Sequence, residues 1–196
     1  MSAIVMTERI TETSPRFKAR MAGGLYVISV MTAVFLELFL GGRLGYAANF
    51  IQMAGMVAVT LLFYDIFKPV NRSISLLTAS FNLVGIAFEV LRLNPQGANL
   101  AMVFHGIYCL LIGYLIFRST FLPRILGALM AFGGLGWLTY VSPPLANYLS
   151  PYNLGCGLLG EALVFLWLLA MGVKVQRWRE QAMAAGGVHS HMKAAV

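Results

Sequence analysis

Few residues in this chain have the chemistry to act on a ligand or substrate. Four acids, Glu37, Asp65, Glu89 and Glu161, lie inside apolar stretches, and so does Asn82. His105 is the one histidine inside such a stretch, because His189 and His191 lie near the C-terminus. An imidazole beside a carboxylate can serve as an acid/base pair. Three carboxylates and a histidine can also hold a divalent cation. Ionisable groups in apolar surroundings are costly, so each one marks either a function or a polar contact between packed elements. His105, Glu161 and Glu89 are the catalytic candidates.

Several other chemistries lack their residues. A three-histidine zinc centre or a bis-histidine haem site would need histidines that the apolar part of the chain does not have. No serine stands in a Gly-x-Ser-x-Gly turn beside a base. The two cysteines, Cys109 and Cys156, form no Cys-x-x-Cys pair. Their expected depths differ by more than the roughly 7 Å between Cα atoms that a disulfide allows, so free thiols are expected. The residue types imply no cofactor and no dedicated metal site.

The elements that must position these residues follow from composition. The chain has 196 residues, of which 59% are hydrophobic and 11% charged, and its mean hydropathy is +0.78. Soluble domains carry about 25% charged residues. Windows of about 20 apolar residues recur, each long enough to cross roughly 30 Å of hydrocarbon as a helix. The expected fold is all-α: a polytopic membrane bundle with transmembrane helices at about 21–40, 46–67, 73–93, 98–117, 123–141 and 153–173. Residues 1–20 read as a cytoplasmic N-terminal tail. Residues 174–196 read as a basic segment that becomes disordered. Glycines 41 and 42, Pro69, Asn94-Pro95, Pro123 and Ser142-Pro143-Pro144 punctuate the runs.

Six spans place both termini on one side. Twelve of the 14 lysines and arginines fall on that side, and only Arg43 and Arg92 fall on the other. The positive-inside rule then makes both termini cytoplasmic. The same flanking positions account for the net charge of +7, so no nucleic-acid partner is expected. The basic end at 174–179 is suited to lie on anionic lipid. Trp137, Tyr140, Tyr148 and Tyr152 are expected in an outer aromatic belt, and Trp178 in an inner one.

At about 1.5 Å per residue, Glu37, Glu89, His105 and Glu161 lie about 6, 5, 10 and 12 Å in from the outer helix ends. Ser75, Thr78, Asn82, Gly85, Glu89 and Arg92 recur every three or four residues and form one polar stripe, which should face the bundle interior. His105, Tyr108, Cys109 and Ile112 share a face of the fourth helix. Gly157, Gly160, Glu161 and Val164 share one on the sixth. The sharpest expectation is an outward-opening pocket lined by Glu37, Asn82, Glu89, His105 and Glu161, taking a small or lipid-like ligand. The alternatives are an intramembrane enzyme using a Glu/His pair or a metal, and a scaffolding subunit whose polar groups only fix helix packing. The oligomeric state is not readable. Asp65, beside Lys68 and Arg72, reads as an ion-paired residue at the inner interface.

Residues 112–137, IGYLIFRSTFLPRILGALMAFGGLGW, resemble the hallmark segment of a family of bacterial multi-pass membrane proteins known as domain of unknown function 4386. The likeness extends to Lys68-Pro69-Val70-Asn71-Arg72, and to Gly160-Glu161 followed by Leu166-Trp167-Leu168-Leu169. It implies the multi-pass topology and a location in the bacterial cytoplasmic (inner) membrane. It implies no activity.

Overall fold

The computed structural model describes the backbone of residues 14–39, 43–93 and 95–194. Within these, the side chains at 33–39, 43–48, 96 and 186–194 lie outside the described residues. The described residues form helices α1 (Pro15–Phe39), α2 (Arg43–Phe67), α3 (Arg72–Val90), α4 (Leu100–Arg118), α5 (Arg124–Leu138), α6 (Pro143–Leu149), α7 (Tyr152–Ala170) and α8 (Val175–Ala194). Single 3₁₀ turns lie at Pro95–Gly97 and Thr139–Val141. Five helical segments among the described residues are long and apolar enough to cross a membrane: Asn49–Phe67, Arg72–Val90, Leu100–Arg118, Arg124–Val141 and Tyr152–Ala170.

Helix ends follow local chemistry. Asn71 and Asn99 cap α3 and α4, their side-chain oxygens accepting from Ile74 N at 3.0 Å and Met102 N at 3.2 Å. α5 has no side-chain cap. Ser119 donates to the Ile116 carbonyl at 2.8 Å. α7 stops at Ala170, three residues short of expectation, because Gly172 takes a left-handed conformation (φ 69°) and returns its N–H to the carbonyls of Trp167 and Leu168.

Both ends of the chain depart from expectation. α1 begins at Pro15 rather than Met21, since proline is pre-set for the first helical turn. The added turn is anchored. Lys18 pairs with Asp65, and Arg20 donates to the Ala170 carbonyl at 2.9 Å. Asp65 pairs with Lys68 as well. At the other end the chain is helical to Ala194, where disorder was expected. Its alanines favour helix, and two contacts fasten its first turns to the bundle. Trp178 Nε1 donates to the Ile66 carbonyl at 2.8 Å, and Gln181 accepts from Thr120 N at 3.1 Å. Trp178→Phe replaces the indole with a smaller aromatic ring and removes one hydrogen bond, worth about 1 kcal/mol. The expected result is faster proteolysis within α8, with the thermal midpoint of the bundle nearly unchanged.

The long helices close into a ring. Each packs on the next in the order α1, α2, α3, α4, α5, α7, and α7 packs back on α1. One half of the interior is aromatic: Phe63, Phe67, Phe121 and Phe165 are all nearly inaccessible. Tyr26 lies flat on Phe165 with ring centroids 3.5 Å apart. Phe165 is one turn along α7 from Glu161, so this stack aims the Tyr26 hydroxyl at Glu161.

Candidate functional site

Glu161 lies at the centre of the ring with 1% of its surface exposed. Its carboxylate gathers donors from three helices. Tyr26 on α1 donates to Oε2 at 2.5 Å. Trp137 on α5 donates its indole N–H to Oε1. Cys109 on α4 points its thiol at Oε1 from 3.5 Å, and His105, one turn earlier on that helix, brings Nε2 to 3.0 Å.

The remaining ring nitrogen of His105 is fixed by a chain that begins on α2. Thr60 donates to the carbonyl of Met56, one turn back, at 2.7 Å. Its only hydroxyl proton is thus engaged, and its oxygen can only accept. Asn82 on α3 must therefore turn its amide NH₂ toward Thr60, at 2.6 Å. That leaves Asn82 Oδ1 facing His105 Nδ1 at 3.1 Å, so Nδ1 carries a hydrogen. Nε2 is then either the proton-bearing nitrogen of an imidazolium paired with the carboxylate, or a free lone pair directed at the site. Backbone-anchored polar groups on α2 and α3 thereby set the orientation and tautomer of a histidine on α4.

The structure brings together three of the five residues expected to line a pocket: Asn82, His105 and Glu161. They form a packed cluster, with Thr60 and Asn82 each 1% exposed and the His105 side chain 17% exposed. Glu89 stands apart. It lies two turns beyond Asn82 on α3, about 10 Å along the axis, and lines a shallow depression with Asn49, Phe50, Val90 and Arg92. The stripe on α3 is buried at Ser75, Thr78, Asn82 and Gly85 but not at Glu89. Glu37 is in the last turns of α1, and its side chain lies outside the described residues.

Four members of the cluster were not expected there: Thr60, Tyr26, Cys109 and Trp137. Cys109 had a signal in its spacing of four from His105, which puts both on one helix face. Trp137 is not a belt residue. It is 5% exposed and its ring fills the place where a side chain at Gly157 would stand. A buried indole N–H needs an acceptor, and Glu161 is the acceptor. Both cysteines are free, as expected. One buried polar atom is left over. The Tyr108 hydroxyl has no hydrogen-bond partner among the described residues, although the residue is 1% exposed.

The fold and the cluster define a helical bundle with membrane-type spans and a buried imidazole–carboxylate centre. The chain belongs to the family described as Domain of unknown function (DUF4386), whose model matches residues 86–172. That segment contains His105, Cys109, Trp137 and Glu161. The chain is similar to an uncharacterized protein of Archaeoglobus fulgidus, 30% identical over an alignment of 130 positions that covers 61% of this chain and 78% of the relative. No solved structure matches the chain.

Proposed function

We propose that this protein spans the bacterial cytoplasmic membrane six times with both termini inside, and that Asn82, His105 and Glu161 form the centre at which it binds a small or lipid-like ligand arriving from the outer half of the bilayer. The charge distribution supports the topology. α1, with 25 residues, is long enough to be the sixth span.

One observation carries the binding centre: the polar groups of five helices are organised around a single buried carboxylate. A purely structural role accounts for this poorly. Apolar residues of similar volume usually hold a bundle together as well as a buried ion pair does, or better. The imidazole is the accessible edge of the cluster, and by helical rise it lies nearer the outer surface than Glu161 does. The 3.0 Å contact between His105 and Glu161 is also the geometry of an acid/base pair. Both oxygens of Glu161 are engaged by fixed donors, however, which suits holding a ligand better than passing a proton to a substrate.

Cysteine labelling tests both parts. In full-length protein carrying Cys109→Ser and Cys156→Ser, Arg43→Cys is expected to react with a charged thiol reagent from outside the cell. Arg118→Cys should react only once the cytoplasmic side is opened. Labelling of both from one side contradicts six spans. His105→Cys should react from outside, more slowly than Arg43→Cys. If it reacts only after unfolding, the centre is not reachable and the binding reading fails.

A further inference from the structure

We infer that the ligand of this centre is a divalent transition-metal ion of the zinc type, held by His105 Nε2, Cys109 Sγ and Glu161 Oε1. The inference rests on reading the cluster as a binding centre, and it names the ligand class. The three donor atoms lie within 4.8 Å of one another. Nε2 and Sγ stand 3.0 and 3.5 Å from Oε1. Bonds of about 2.0 Å to nitrogen and oxygen and 2.3 Å to sulfur, in tetrahedral array, separate the donors by about 3.3–3.5 Å. Adjustments of a few tenths of an ångström at Oε1, and a swing of the thiol toward Nε2 of about 1 Å, complete such a set. The spacing of four between His105 and Cys109 supplies two of the ligands from one face of α4.

The surroundings are those of a supported metal site. A ligating histidine normally gives its other N–H to a carbonyl or carboxylate, which fixes the ring and turns a lone pair toward the ion. Asn82 Oδ1, itself held by Thr60, does this for His105. A carboxylate oxygen has two acceptor sites. Oε1 can therefore bind the ion with one while Trp137 keeps the other, and Tyr26 holds Oε2.

Charge balance is compatible with the same reading. A thiolate, a carboxylate and a neutral imidazole sum to two negative charges, which a divalent ion cancels. Without the ion, an imidazolium, a carboxylate and a thiol also sum to zero. Binding therefore exchanges one divalent ion for two protons, one from His105 Nε2 and one from Cys109 Sγ, and leaves no net charge in the low-dielectric interior. The thiolate and imidazole favour zinc-like ions over magnesium or calcium.

Three protein ligands leave a fourth position open to water or an anion. Beside the ligands stands the ring of Tyr108, whose hydroxyl has no hydrogen-bond partner among the described residues. Its ring centroid lies 5.5 Å from that of His105, on the helix that supplies two of the ligands.

The test is Co²⁺ titration of the purified full chain, with His189→Ala and His191→Ala so that the C-terminal histidines do not contribute. The expected result is one Co²⁺ per chain, a thiolate-to-cobalt charge-transfer band, and displacement by Zn²⁺. Cys109→Ser, nearly isosteric, should abolish the band, and Asn82→Ala should weaken binding by about 10–100-fold. Absence of the band in the parent protein, or Co²⁺ binding unchanged by Cys109→Ser, overturns the metal site. If His105→Cys still reacts from outside in that case, the binding centre survives and only the metal assignment falls.

Discussion

Glu161→Ala is expected to destabilise the protein by about 3–5 kcal/mol, the cost of removing one partner from a buried charge pair. The substitution does more than delete an attraction. It strands the Tyr26 hydroxyl, the Trp137 indole N–H and His105 Nε2 in a ring interior where no described side chain replaces the carboxylate. Each unsatisfied buried donor costs about 1–3 kcal/mol. Glu161→Gln keeps the shape and one carbonyl acceptor, so it should lose roughly half as much. Tyr26→Phe leaves His105 and Trp137 paired and should cost about 1–2 kcal/mol. The measurement is heat-induced loss of the monodisperse species of purified protein in one detergent, followed by size-exclusion. A Glu161→Ala protein as heat-resistant as its parent would show that these groups do not converge on the carboxylate.

His105 and Glu161 were legible in the sequence because an ionisable group in an apolar run has no inexpensive alternative to an interior partner. Asn82 was legible because its neighbours at three and four residues form a stripe. The same logic overreached at Glu89. Periodicity identifies a face of a helix but not the point along it where the neighbouring helices stop, and the buried part of the stripe ends at Gly85. Tyr26 and Trp137 were hidden for another reason. An amphipathic aromatic fits a core, an interface or a polar network equally well by composition. Trp137 is near the end of α5, where a belt is the natural reading. The Cα–Cβ bonds of a helix tilt toward its N-terminus, however, and here that direction leads back into the bundle and into the space left by Gly157. At the C-terminal end alanine-rich composition suits helix as well as disorder. Trp178 and Gln181 fasten the basic turns that precede it, through contacts to residues more than 60 positions away.

The glycines of α7 give the second large effect, and the sign depends on position. A Cβ on Gly160 would stand 2.5 Å from the Leu129 carbonyl oxygen and 3.0 Å from Gly133 N and Cα on α5. These are backbone atoms and cannot rotate away, so Gly160→Ala must push α5 and α7 apart. Overpacking of this kind costs about 1–3 kcal/mol. A Cβ on Gly155, five residues earlier, would meet nothing within 4 Å. Gly155→Ala should therefore be neutral or stabilise by about 0.5 kcal/mol through helix propensity alone. Heat-induced aggregation of the two variants side by side checks the contrast, and a similar shift for both would contradict the close approach of α5 and α7. Because Glu161 follows Gly160 directly, separation of these helices should also draw the carboxylate from Trp137. In protein carrying Trp137→Phe that bond is already gone, so adding Gly160→Ala should cost less than it does in the parent. Strict additivity of the two changes would mean that the glycine contact and the carboxylate centre are independent.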